Sequence, residues 1–122
     1  MPFALRCGIV IQFADKDEVR GELPWMHELC TATGILHGGA LMTFADTLGA
    51  MCAFLNLPPG TTTATVESKT NLFRPLRKGK AHATSRPLHV GRTFIVVQTD
   101  ITDDDGKRVA QTTQTQAVLQ ER

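Results

Sequence analysis

Apolar and polar positions change rhythm along the chain, and the changes mark its elements. Gly8-Ile9-Val10-Ile11-Gln12-Phe13 is a β-branched run, Asp15-Lys16-Asp17 is a polar turn, and Glu18-Val19-Arg20-Gly21-Glu22-Leu23 resumes the extended pattern. This predicts two strands in a hairpin, the second ended by Pro24, with a loop through Trp25 and His27 to Gly34. From residue 38 to 56 the period lengthens: Leu41, Phe44, Ala45, Leu48, Met51, Cys52 and Leu55 recur at three and four, one face of a helix. Asn56 and Pro58-Pro59-Gly60 stop it. Strand patterns return over Thr62–Phe73, Lys80–Leu88, Thr93–Thr102 and Arg108–Leu119, separated by Pro75, Gly79, Gly91 and the turn Asp103-Asp104-Asp105-Gly106. About six strands, with one long helix inserted after the second, predict an α+β fold whose antiparallel sheet lies against that helix.

With 122 residues, 42% of them hydrophobic, and no internal repeat or linker, the chain is expected to form a single domain over residues 1–122. A domain of this size buries only about two-thirds of its unfolded surface, so a pocket shared between two copies costs less stability than one cut into a single core. Cys7, Cys30 and Cys52 are odd in number and lack C-x-x-C spacing. They suggest a reducing compartment rather than a disulfide framework or a zinc site. No signal segment opens the sequence, so a cytoplasmic location is expected. The longest apolar stretch, residues 38–57, contains three glycines, two threonines and a central Asp46, an improbable membrane span.

Thirteen Lys and Arg against twelve Asp and Glu give a net charge of +1, which argues against a dedicated nucleic-acid binder. The charges are segregated, however. Between Gly21 and Thr65 only Glu22, Glu28 and Asp46 are charged, whereas Val66 to Arg92 carries Lys69, Arg74, Arg77, Lys78, Lys80, Arg86 and Arg92 against Glu67. Such a block can receive an anionic partner, although solvated strand ends and loops carry bases too.

Asp46 is the only charged residue on the helix and points roughly opposite the Leu41-Phe44-Leu48-Leu55 stripe. An aspartate on a solvated helix back would be unremarkable, but this back also holds Met42, Gly49, Ala50 and Ala53 and no Lys, Arg, Glu or Gln. A helix apolar all round is normally covered on both faces, and small residues admit a second chain or a ligand. A partly desolvated carboxylate there suits general-base or nucleophilic work. At the helix start, Gly38-Gly39 can present free N–H groups and the positive end of the dipole to an oxyanion, or simply form a tight turn. His37 could donate to a substrate carbonyl or satisfy the loop. Eight helical residues span about 12 Å, so Gly38 and Asp46 acting on one bond would have to come from different subunits. Gln111-Thr112-Thr113-Gln114-Thr115-Gln116 is a polar strand, either a solvated outer face or a subunit interface.

The run His37-Gly38-Gly39-Ala40-Leu41-Met42-Thr43-Phe44-Ala45-Asp46-Thr47, with Thr65-Val66-Glu67, Leu72-Phe73-Arg74-Pro75-Leu76 and Asp105-Gly106-Lys107-Arg108-Val109-Ala110, resembles the hotdog-fold acyl-CoA thioesterases. It is most similar to the phenylacetate-pathway and 4-hydroxybenzoyl-CoA thioesterases, over nearly the whole chain. The resemblance implies a sheet wrapped around one long helix and a dimer joined sheet edge to sheet edge, often paired into a tetramer. It also implies that the Gly38 amide polarises the thioester carbonyl, that Asp46 of the other subunit attacks or activates water, and that the Thr65 hydroxyl helps place that water. Where the family often has Asn or Gln, seven residues before the first glycine of the motif, this chain has Thr31.

The expectation is hydrolysis of an acyl-CoA without metal or redox cofactor. Thr31, Gly39, Met42 and Ala50, with Ala53 and Phe54, are candidates for binding the substrate, although Met42 and Phe54 are more often core packing at such positions. Arg74, Arg77, Lys78 and Arg92 are candidates for the coenzyme A phosphates. Two rivals remain: an enoyl-thioester hydratase or dehydratase using His37, and a non-catalytic acyl-CoA binder, which Thr31 would favour.

Overall fold

In the computed structural model, which describes residues 1–121, the order is α1 (Pro2–Cys7), β1 (Val10–Ala14), β2 (Val19–Pro24), a 3-10 turn (His27–Leu29), α2 (Gly38–Phe54), β3 (Thr61–Leu72), β4 (Lys80–Val90), β5 (Phe94–Thr102) and β6 (Arg108–Gln120). The strands form one antiparallel six-stranded sheet, β1-β2-β4-β5-β6-β3, against which α2 packs. The α+β architecture is as the pattern predicts. No helix among the described residues is long and apolar enough to cross a membrane.

The core is the inner face of α2 against the sheet. Phe44 and Leu48 are fully buried with Val19 and Leu23 of β2 and Ile95, Val97 and Ile101 of β5. Each such side chain contributes about 1.5–3 kcal/mol through burial. The predicted helix stripe needs two corrections. Leu55 is 40% exposed because the helix ends one residue earlier, and Gly49 and Ala53, expected on the back with Asp46, are buried. Side chains of β6 press against the helix at Gly49, which widens its buried face.

Residues Pro2–Cys7 form a helix that period counting does not detect, since it has fewer than two turns. Its punctuation is orthodox: Pro at the first turn, Arg6 in the last, and Gly8 in the left-handed conformation (φ 88°) closing it. The first strand therefore begins at Val10 instead of Gly8.

Placing α2 between β2 and β3 carries β3 to the far edge of the sheet, beside β6. β3 is twelve residues long, mostly exposed, and bulged between Thr65 and Glu67. A long edge strand with one unpaired side is a ready template for a further strand.

The Thr/Gln-rich β6 is not simply a solvated outer face. Thr112, Gln114 and Gln116 point inward and are fully buried, while the alternate Gln111, Thr113 and Thr115 are half-buried. The inner face of the sheet thus carries a polar row, in which Ser85 bonds Thr99 at 2.6 Å and Thr70 bonds Thr112 at 2.7 Å. Burial of such groups is tolerable because each hydroxyl has a partner.

Candidate active site

The start of α2 is fixed from several directions. Trp25 Nε1 donates to the Gly34 carbonyl at 3.0 Å, Leu36 N–H to Leu76 O at 2.8 Å and His37 N–H to Leu29 O at 2.9 Å. His37 is the N-cap, and its Nδ1 accepts from Gly39 N–H at 2.8 Å. This bond uses the Gly39 donor, and in the neutral ring it leaves the proton on Nε2. Ala40 and Leu41 N–H go to His37 O at 2.9 and 3.2 Å. Gly38 N–H alone in this turn has no partner among the described residues. A β-carbon at Gly38 would come within 2.7 Å of Leu72 Cδ1, so the amide sits where β3 ends close to the helix. A groove there is lined by Thr31, Leu41, Leu72, Phe73, Arg74 and Arg77, among others. The Thr31 hydroxyl lies 3.1 Å from that of Thr33.

Two turns along α2, Asp46 opens into a second groove with Gly39, Met42, Thr43, Thr65 and Ser68. Within a single chain Asp46 is exposed and Met42 is 44% exposed, because nothing in the chain itself covers this face of the helix. Asp46 Oδ1 accepts from Gln114 Nε2 at 3.2 Å and from Thr65 Oγ1 at 3.5 Å. Thr65 Oγ1 in turn accepts from Gln116 Nε2 at 2.7 Å, and Gln116 Oε1 accepts from Thr63 Oγ1 at 3.0 Å. Oδ2 of Asp46 has no partner among the described residues. Ala50, one turn on, is half-buried and Phe54 is exposed.

Of the sequence-predicted residues, Gly38 lines one groove with Thr31, Arg74 and Arg77, and Asp46 another with Gly39, Met42 and Thr65, while Ala50, Lys78 and Arg92 line neither. His37 lines a separate hollow beside Phe3, Cys7 and Cys30. Gln114 and Gln116, which bond Asp46 and Thr65, carry no motif in the sequence; their spacing by two puts both on one face of a strand without saying which face that is.

The basic block does not form one patch. Lys80 pairs with Glu22 at 3.0 Å and Arg86 with Glu18 at 2.9 Å. Lys78 lies in a hollow faced by Asp103, Asp104 and Asp105, which lowers its value to an anion. Arg92 sits in the β4–β5 turn, beyond the eleven-residue β4 from Lys78. That strand is about 35 Å of chain, so Arg92 and Lys78 of one chain cannot share a phosphate.

The acidic turn is pinned by Asp104, whose carboxylate lies 2.7 Å from His82 Nε2 and accepts Lys80 N–H at 3.2 Å. The His82 hydrogen bond, then the Lys80 backbone bond and the nearby positive charges, hold its carboxyl below the ordinary value of 3.8. A depressed carboxyl stabilises the fold at pH above its unfolded value, and the contribution is lost as pH falls through the folded one. Asp104→Asn should therefore flatten the loss of Tm on acidification below about pH 4. An unchanged acid slope in thermal unfolding would refute this role. Burial pushes the Cys52 thiol up to about 11, which makes it unreactive near neutral pH.

No group of three or more His, Cys, Asp or Glu arranged to hold a metal ion occurs among the described residues.

A family model described as the thioesterase superfamily matches residues 33–110. The proofreading thioesterase EntH of Klebsiella pneumoniae is 31% identical over 101 residues, covering 83% of this chain and 74% of EntH. The crystal structure of thioesterase HI1161 from Haemophilus influenzae superposes with a TM-score of 0.92 at 30% identity, covering 97% of this chain and 82% of that one. A mutant of thioesterase PA1618 from Pseudomonas aeruginosa gives a TM-score of 0.92 at 29% identity, covering 97% and 86%.

Proposed function

Since the chain belongs to the thioesterase superfamily and shares its hotdog fold, and is thus a thioester hydrolase by family, we propose that it cleaves acyl-CoA to the free acid and CoA. The observation that carries this reading is the pairing of an unbonded Gly38 amide at a helix N-terminus with an uncovered Asp46 carboxylate two turns along. The amide and the helix dipole stabilise the oxyanion that forms as the thioester carbonyl is attacked, a contribution of about 3 kcal/mol for a single donor. Asp46 either takes a proton from the attacking water or attacks the carbonyl to give a mixed anhydride that water then opens. In both routes the C–S bond breaks, the thiolate leaves and takes up a proton, and Oδ2 is the oxygen free to act.

Gly38 and Asp46 are separated by about 12 Å of helix, so one reacting bond cannot reach both within a chain. A second copy resolves this. Pairing along the exposed edge of β3 would cover Val66, Leu72 and Phe73, each more than half exposed, and bring the Asp46 groove of one copy towards the Gly38 groove of the other. Such a partner would also desolvate Asp46, as its apolar helix face calls for.

A panel of aliphatic and aromatic acyl-CoAs should release free thiol with at least one member. Silence across the panel, or hydration of crotonyl-CoA in place of thiol release, would overturn the reading. In the same assay, Arg74 and Arg77 beside Gly38 should make KM for an acyl-CoA rise with salt more steeply than KM for the matching acyl-pantetheine, which lacks the nucleotide phosphates. Equal salt responses would remove these arginines from the nucleotide site.

A further inference from the structure

Gln114 combines features that packing alone does not explain. It is fully buried on β6, between Ser68 of β3 and Val97 of β5 in register. Its Nε2 donates to Asp46 Oδ1 at 3.2 Å, while its Oε1 is sealed from solvent with no hydrogen-bond partner. A buried carbonyl oxygen without a partner is destabilising, and an apolar side chain of the same length would avoid the loss. The facing helix residue is Gly49, where any β-carbon would run into Gln114 Oε1. Glycine in the middle of a helix is a second local loss of stability. Both losses meet at one point, and what they permit is the bond to Asp46.

A second amide repeats the arrangement. Gln116 is 1% exposed, and its orientation is set by Thr63 Oγ1, which donates to Oε1 at 3.0 Å. Its Nε2 therefore points at Thr65 Oγ1, 2.7 Å away. With its oxygen accepting from Gln116, the Thr65 hydroxyl directs its proton to Asp46 Oδ1, 3.5 Å off. Both donors converge on the same carboxylate oxygen and neither on Oδ2.

We propose that Gln114 is a positioning residue for the reaction, clamping Asp46 through Oδ1, with Gln116 and Thr65 in support, so that Oδ2 alone faces the substrate. This rests on the assignment of Asp46 as the catalytic acid. Gln114 itself touches no substrate; it acts by fixing the carboxylate, and the stability lost at the orphan carbonyl and at Gly49 is retained for that purpose.

Gln114→Met removes the donor and the orphan acceptor at nearly constant volume. It should lower kcat by about tenfold, the weight of one hydrogen bond to a charged group, with KM within about twofold and Tm not lowered. Gln114→Glu keeps the shape, but a carboxyl can donate to Oδ1 only while protonated. That variant should gain a fall in kcat on the alkaline side that the wild type lacks. Among the described residues lining the groove Asp46 alone is titratable, and residue 114 bonds it directly, so the new limb reports on the pair. Wild-type kcat in Gln114→Met, or a Gln114→Glu profile parallel to the wild type, overturns the proposal, and the Glu variant decides alone if the Met variant fails to fold. Wild-type turnover in Asp46→Asn would instead remove the assignment on which it rests.

Discussion

Asp46→Asn is expected to reduce kcat for thioester hydrolysis by about a thousandfold or more while leaving Tm within a few degrees of the wild type. The substitution is nearly isosteric, and the asparagine oxygen can still accept from Gln114 Nε2 and Thr65 Oγ1, the two donors that hold Oδ1. Only the charge and the free Oδ2 are lost. Because Asp46 is exposed in the chain and forms no ion pair among the described residues, stability does not depend on its charge. A truncation to alanine would confound this by freeing the buried Gln114 amide. Thiol release in single-turnover and steady-state assays, beside thermal unfolding of the same samples, reads both quantities. Substantial turnover with an intact fold would mean that another group attacks the thioester.

The residues proposed to react were legible because they violate the pattern around them. A lone carboxylate on a helix otherwise free of charge, and two glycines where that helix begins, stand out against the Leu41-Phe44-Leu48 stripe. Their supports were not legible, for a physical reason. A glutamine on a strand ordinarily marks the solvent face, and alternation along β6 cannot distinguish an inward polar row from an outward one. Only the contact between Gln114 and Gly49, distant in sequence, settles the direction. The basic block misled in the opposite way. Lys78, Lys80, Arg86 and Arg92 are neighbours in sequence, but an extended strand of eleven residues separates the first from the last and places two of the four against Glu22 and Glu18. The edge position of β3 was equally hidden, since local patterns predict a strand but not its neighbours.

Gly38→Pro should lower kcat by about a hundredfold, the loss expected when one oxyanion donor is removed. The first helical position is the one where proline is tolerated, and Gly38 N–H has no bond to lose within the chain. His37 already lies at φ −62° and ψ 137°, the extended region that a residue before proline requires. The added carbons meet Leu72 Cδ1, the end of a side chain that is 53% exposed and free to swing aside, so Tm should change little. The two crippled variants together then test how the site is assembled. If Gly38 of one copy works with Asp46 of the other, a co-refolded mixture of Gly38→Pro and Asp46→Asn forms mixed dimers in which one of the two sites has both wild-type groups. Random pairing makes half the dimers mixed, so activity should return to about a quarter of the wild-type value. A mixture no more active than the sum of its parts would show that each chain completes its own site. The distance along α2 would then have to be bridged by the substrate instead of by a second subunit.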